Sequence, residues 1–146
     1  MCIREAASQD LPQLLDLYTH LHNNTRPAID ENVKSVWQKI MGDVNHHIIV
    51  GVQDASIISS CVLLVVPNLT HGQRPYAVLE NVVTHPTHRK QGVGGQIMAY
   101  AKEIAMKNHC YKIMLMTSSK EEATLRFYRR AGYNTQDKTA FVQWID

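Results

Sequence analysis

The chain lacks most of the features that announce a specialised class. Its three cysteines, Cys2, Cys61 and Cys110, are scattered and form no C-x-x-C pair. That argues against a disulfide framework and reads as reduced intracellular thiols packed in or near the core. No apolar run approaches the roughly 20 residues that a bilayer-spanning helix needs. The first residues, Met1-Cys2-Ile3-Arg4, lack the charged lead and apolar stretch of a secretory signal. A cytoplasmic protein without membrane attachment is expected, and the sequons at Asn23 and Asn68 then need no glycan. A formal net charge of +2 supplies no basic stripe for nucleic acid. No repeat, low-complexity tract or linker interrupts the 146 residues, so one domain spanning 1–146 is expected.

What is present is a change of hydrophobic period. Leu11, Leu14, Leu15, Tyr18 and Leu21 recur at helical spacing after a cap at Ser8 or Asp10, and Asn23 to Pro27 ends that helix. A second helix is predicted from Asp30, burying Val33, Val36, Trp37 and Ile40 and closing at Gly42-Asp43. Residues 47–52 and 57–66 are rich in β-branched side chains around Gln53-Asp54-Ala55-Ser56, which predicts an antiparallel hairpin. Residues 76–83 form a further strand. A helix to about Lys107 follows, with Val93, Ile97, Ala101, Ile104 and Ala105 inward. A buried strand over 112–117, a helix over 120–131 stopped by Gly132, and two closing strands after Tyr133 complete the chain. The fold class is α+β, a mixed, mostly antiparallel sheet flanked by about four helices.

The chain is organised around Arg89-Lys90-Gln91-Gly92-Val93-Gly94-Gly95, between a strand and a helix. Glycines let backbone N–H groups approach an anion, and the helix N-terminus and two basic side chains favour phosphate. A P-loop needs G-x-x-x-x-G-K-S/T, which no glycine here begins. A dinucleotide fingerprint needs a third glycine where Ile97 stands, and an opening βαβ unit where the pattern predicts a hairpin.

Arg89-x-x-Gly92-x-Gly94 resembles the acetyl-coenzyme A signature of the Gcn5-related N-acetyltransferase (GNAT) family: Gln or Arg, two residues, Gly, one residue, then Gly or Ala. The pair Phe127-Tyr128, followed four residues later by Gly132-Tyr133, is similar to the family's second signature. Leu79 to Pro86 resembles its approach to the cofactor loop, so the likeness covers roughly residues 76–133. The resemblance implies the GNAT fold and acetyl-CoA as cosubstrate. It implies that Lys90, Gln91, Gly92, Val93, Gly94 and Gly95 offer N–H groups to the pyrophosphate with Arg89 nearby. Val82, Val83 and Thr84 would pair through their backbone with the extended pantetheine arm, and Phe127 would pack in the core or along that arm. The bland alternative for the glycines is a tight helix entry.

Acetyl transfer to an amine needs a proton acceptor for the amine, a stabilised oxyanion and a proton for the departing thiolate, but no covalent nucleophile. Tyr128 matches the family tyrosine and is the expected general acid, against the alternative of a core aromatic. Glu80, a carboxylate in an apolar strand, is the expected base, directly or through water. The alternatives are a substrate ligand or a structural ion pair. Strict alternation places Glu80 with Val82 on one face and Asn81 with Val83 on the other. The chain departs from the family pattern at Glu121, where many members carry a cofactor-contacting Asn, and at Thr124 in place of Ala; Ser118 or Ser119 could substitute. Arg126, Arg129 and Arg130 read as a solvated face or as ligands of a 3′-phosphate. His20 and His22, and His46 and His47, are misplaced for sharing a metal, so none is expected. His85 and His88 flank the cofactor loop and read as tuning its charge.

Residues 80–83 and 110–113 are similar to stretches of glucosamine-6-phosphate acetyltransferases. An amino sugar is therefore an expected acceptor, with Arg74 or Arg26 to bind a sugar phosphate. The family commonly forms homodimers, so the resemblance implies one. The second reading is a non-catalytic acyl-CoA sensor or interaction module on the same fold.

Overall fold

The computed structural model describes residues 1–22 and 25–146. Asn23 and Asn24, expected at the end of the first helix and at a sequon, lie outside the described residues. The chain forms two compact units, Met1–Leu115 and Met116–Asp146.

In the first unit, β1 (Cys2–Glu5), β2 (His46–Gln53), β3 (Ser56–Val66), β4 (Tyr76–Thr84) and β5 (Ile113–Leu115) stand in sequence order in one sheet. Among the described residues, only the β4–β5 pair is parallel. The β2–β3 hairpin turns through Asp54 and Ala55, both left-handed at φ 50° and 62°. That two-residue turn matches the twist of the flanking strands.

Two helices, α1 (Leu11–Tyr18) and α2 (Glu31–Gly42), cover one face. Their Leu14, Leu17 and Trp37 form a core with Ile48, Val50, Val62 and Val83. Asp30 caps α2, its side chain accepting from Val33 N at 2.9 Å. Trp37 donates its indole N–H to Ser8 O at 3.1 Å, so its polar edge is satisfied within the core. Val36, expected in the buried stripe of α2, is instead exposed. Trp37 supplies the bulk on that side of the helix, and Val36 falls on its far shoulder.

The other face carries α3 (Val93–Lys107), which buries Val93, Ile97, Met98, Ala101, Ile104 and Ala105. A side chain at Gly51 would stand 3.3 Å from Ile97 Cδ1, so glycine there lets α3 sit close against β2. Cys61 is buried as expected, Cys110 is half-buried, and Cys2 is exposed on β1.

The second unit contains α4 (Glu122–Arg130), ended by Gly132 at φ 97°. The two closing strands expected after Tyr133 are absent: no residue from 133 onward is in a strand. Phe141, Val142, Trp144 and Ile145 have the composition of a strand but are exposed. A strand needs a ladder to join, and this unit contains no other strand. β5 is shorter than its apolar run suggested and only half-buried, because it is the sheet's edge.

Candidate functional site

Within the first unit, the ladder between β4 and β5 ends where Leu79 meets Leu115. Beyond it, β4 continues from Glu80 to Thr84, paired among the described residues only with β3. The backbone on its other side forms an open edge, able to take an extended chain carrying amides.

At the start of that edge β4 carries a bulge. Val62 pairs with Glu80 and Ser60 with Val83, so Asn81 and Val82 together oppose the single residue Cys61. Asn81 takes φ 50°, a left-handed conformation that Asn tolerates better than most side chains. The bulge overturns the strict alternation expected for this strand. Glu80 shares a face with Val83, and Val82 moves to the other. Glu80, Val82 and Thr84 are half-buried, and Val83 is in the core. The far end of β4 is pinned: Ser59 Oγ donates to Val83 O at 2.9 Å and lies 2.9 Å from Thr84 Oγ1. His85 N donates to Ile58 O at 2.8 Å. Burial pushes the Cys61 thiol up to about 12, so this cysteine beneath the bulge is no nucleophile at neutral pH.

The chain then passes through a single 3₁₀ turn, Pro86–His88, into α3. Arg89 Nε donates to Thr84 O at 3.0 Å and Gln91 Nε2 to Thr87 O at 3.0 Å, holding the turn against the strand end. Lys90 and Gly92 are left-handed, at φ 61° and 80°. The first bond of the helix runs from Gln96 N to Gly92 O, 3.2 Å. The N–H groups of Val93, Gly94 and Gly95 therefore precede it and point out of the helix end, as a phosphate cradle requires. Arg89, Lys90, Gln91, Gly92 and Gly95 are exposed, Gly94 is half-buried, and Val93 anchors the turn in the core.

In the second unit, Phe127 and Tyr128 are half-buried on α4 with ring centroids 5.1 Å apart. Tyr133 folds back onto Tyr128, its ring centroid at 6.4 Å and its N–H on Tyr128 O at 3.1 Å. Gly132 makes that reversal possible. Glu121 is exposed. Ser119, not Glu121, organises the helix start: its Oγ accepts from Glu121 N at 3.3 Å and donates to Thr124 Oγ1 at 3.1 Å. Arg129 pairs with Glu122 at 3.0 Å, and Arg126 and Arg130 are exposed, as on a solvated helix face.

Both arginines expected for a sugar phosphate are engaged. Arg74 donates to His109 O and Cys110 O at 3.1 and 3.2 Å, and Arg26 pairs with Asp16. Sequence reasoning missed a grouping on the first unit, where His20, just past α1, stacks edge-on against His85 with centroids 4.7 Å apart. Sixty-odd intervening residues leave no local pattern that could have revealed it. Burial, then the neighbouring His20, His88 and Arg89, lowers the His85 pKa from its ordinary value. Among the described residues no group of three or more side chains could hold a metal ion.

The profile of the Acetyltransferase (GNAT) family matches residues 11–133. A glucosamine 6-phosphate N-acetyltransferase of Trypanosoma brucei brucei is 32% identical over 82 residues, 56% of this chain and 54% of that protein. The chain thus spans about half the length of that relative. A solved candidate acetyltransferase from Agrobacterium tumefaciens str. C58 superposes with a TM-score of 0.92 at 34% identity, covering 99% of both chains. A transcriptional regulator from Bacillus halodurans C-125 superposes at 0.85 with 26% identity, covering 98% of this chain and 99% of that one.

Proposed function

Since the chain belongs to the acetyltransferase (GNAT) family, we propose that it moves an acetyl group from acetyl-CoA to a primary amine by direct attack in a ternary complex. The acceptor is a small molecule such as an amino sugar. The observation that carries this reading is the continuity of the open β4 edge, from the bulge at Asn81, with the left-handed Gly92 and the outward N–H groups of α3. One stretch of chain thus offers amide pairing to an extended arm and, a few residues on, a positive helix end to phosphates. Acetyl-CoA supplies the activated acetyl group.

Val82, Val83 and Thr84 hold the arm by their backbone. Lys90 to Gly95, with Arg89, hold the pyrophosphate, and Phe127 lies along the cofactor. The Glu80 carboxylate takes a proton from the acceptor ammonium, directly or through a water. The freed nitrogen lone pair forms the C–N bond as the C–S bond breaks, and the Tyr128 hydroxyl gives its proton to the departing sulfur. The second proton, shed by the new amide nitrogen, passes to the Tyr128 phenolate, directly or through a water. The relative named a glucosamine 6-phosphate N-acetyltransferase supports the amino-sugar class. The same reading makes the protein a cytoplasmic homodimer. Exposed Phe141, Val142, Trp144 and Ile145 are the apolar surface that a second copy would cover.

A second reading, a non-catalytic acyl-CoA-binding module, is favoured by one observation, the likeness to a protein named a transcriptional regulator. Thiol release from acetyl-CoA, measured across glucosamine 6-phosphate, glucosamine, polyamines and peptides, separates the two. Turnover of at least one amine is expected, with Tyr128→Phe reducing kcat by about 10²-fold or more. Binding of acetyl-CoA with no turnover of any amine would leave the sensor. Full kcat in Tyr128→Phe would remove the acid assignment. Sedimentation equilibrium tests the dimer.

A further inference from the structure

The histidine grouping beside β4 is more than a source of local charge. His20 meets His85 at 4.7 Å between ring centroids, and His85 meets His88 at 5.9 Å. A cavity of ≈ 150 Å³ opens against the first two rings, lined by Gln13, Asp16, Leu17, His20, Ile57 and His85. At about 30 Å³ per water in the liquid, it has room for about five heavy atoms, the size of one phosphate group.

Most of the other polar groups in the wall are already used. Gln13 donates to Ala55 O and accepts from Ile57 N, clamping the hairpin. The Asp16 carboxylate is paired with Arg26. On His85, Nδ1 accepts from Thr87 N at 3.4 Å and lies 2.8 Å from Thr87 Oγ1, which also contacts His88 Nδ1 at 2.9 Å. That acceptor role assigns the proton of neutral His85 to Nε2, as a donor. Arg89 follows in the same turn, its Nε on Thr84 O. The cluster therefore combines three imidazole rings, an arginine, and a single carboxylate that Arg26 offsets. It is short of an anion.

We infer that this cavity is a subsite for a phosphate monoester, gripped by His20 and His85 with His88 behind them. The inference rests on the proposed acetyl transfer only for the source of the phosphate, which is either the acceptor or the 3′-phosphate of coenzyme A. A bound phosphate favours the charged form of the His85 ring, against the burial and the neighbouring positive charges that lower its pKa. The charged groups facing the rings are Asp16 from α1, with Arg26 beyond it, and Arg89 from the turn into α3.

The test begins with inorganic phosphate and imidazole NMR of the full chain, and needs no turnover. His20 and His85 resonances should shift saturably as phosphate is added at a fixed pH. His20→Gln, at an exposed site where the fold is not at stake, should abolish the response of His85. Two arms then identify the source. Loss in His20→Gln of a kcat/KM preference for glucosamine 6-phosphate over glucosamine assigns the acceptor. Loss of a binding preference for coenzyme A over dephospho-coenzyme A assigns the cofactor. Resonances unmoved by phosphate overturn the subsite. A shift with neither preference affected means an adventitious ion only, and overturns it equally. Failure of every amine to be acetylated would count against the acetyl-transfer reading alone, because the NMR and coenzyme A arms still decide this one.

Discussion

Glu80 and Val83 project to the same face of the sheet, three positions apart, because Asn81 and Val82 share one place in the ladder opposite Cys61. The side chain that makes this possible is Asn81, at φ 50°. Asn81→Gly should keep the bulge and change stability by less than about 0.5 kcal/mol. Asn81→Val places a β-branched residue where its Cβ crowds the backbone, and should cost about 1–3 kcal/mol in urea unfolding. If the strand straightens, Glu80 changes face relative to the downstream edge and acetyl transfer falls with it. Equal stability and activity in the two variants would mean that the bulge does not depend on this residue.

Gly92 has a different constraint. A side chain there would meet nothing within 4 Å, so only its φ of 80° resists substitution. Gly92→Ala should cost about 1–2 kcal/mol through the backbone alone, and loosen coenzyme A in calorimetric titration as the turn relaxes. A variant with unchanged affinity would show that the turn conformation is not what holds the phosphates.

Ala55 is left-handed, at φ 62°, in a hairpin turn that favours Asp-Gly. Its carbonyl, which accepts from Gln13, is unaffected by the side chain. Ala55→Gly should therefore stabilise the protein by about 0.5–1 kcal/mol, the strain removed exceeding the flexibility gained in the unfolded chain. A lower thermal midpoint in the variant would contradict this.

These three positions show where sequence pattern sufficed and where it did not. Ile97, Ala101, Ile104 and Ala105 announced α3 because a helix period repeats over many residues. Asp54-Ala55 announced a turn by its position between two β-branched runs. The bulge at Asn81 is a single-residue event, and period-two reasoning carried through it put Val82 and Val83 on the wrong faces. An Asn inside a strand, depleted there and tolerant of positive φ, was the available signal. Phe141 to Ile145 had strand composition without a partner, and pairing is non-local. The approach of His20 to His85 is non-local too, so neither could be read from spacing.

Acid stability should be governed in part by Asp10. It is buried, accepts from Arg4 Nη1 at 2.6 Å and from Ala7 N at 2.7 Å, and the Arg4 guanidinium holds its carboxyl below the usual range. A lowered folded-state pKa adds stability that is fully present above the unfolded value, about 3.9, and is lost as pH falls through the folded one. Arg4→Met should cost about 1–2 kcal/mol at pH 7, Arg4 being partly exposed. It should also move the onset of acid loss to higher pH, because the folded pKa rises. Urea midpoints measured from pH 3 to 7 for both proteins decide it; parallel curves would assign the pair no role.

Tyr18 and Ser60 meet at the contact of α1 with β3, where neither hydroxyl has a partner of good geometry. Burial pushes the Tyr18 phenol up, with the Ser60 hydroxyl acting against it. Each buried hydroxyl without a full bond costs about 1–3 kcal/mol of desolvation, whereas removing both leaves an apolar contact of nearly the same shape. Tyr18→Phe with Ser60→Ala should therefore be neutral or stabilising by up to about 1 kcal/mol. Ser60→Ala alone should be worse than the pair, since it removes the Ser60 hydroxyl and leaves the buried phenol in place. The signature is the sign of the coupling in a double-mutant cycle on urea unfolding. A double variant that loses more than about 2 kcal/mol would show that the two hydroxyls are satisfied by a buried water, and that this polar spot beneath α1 stabilises the fold.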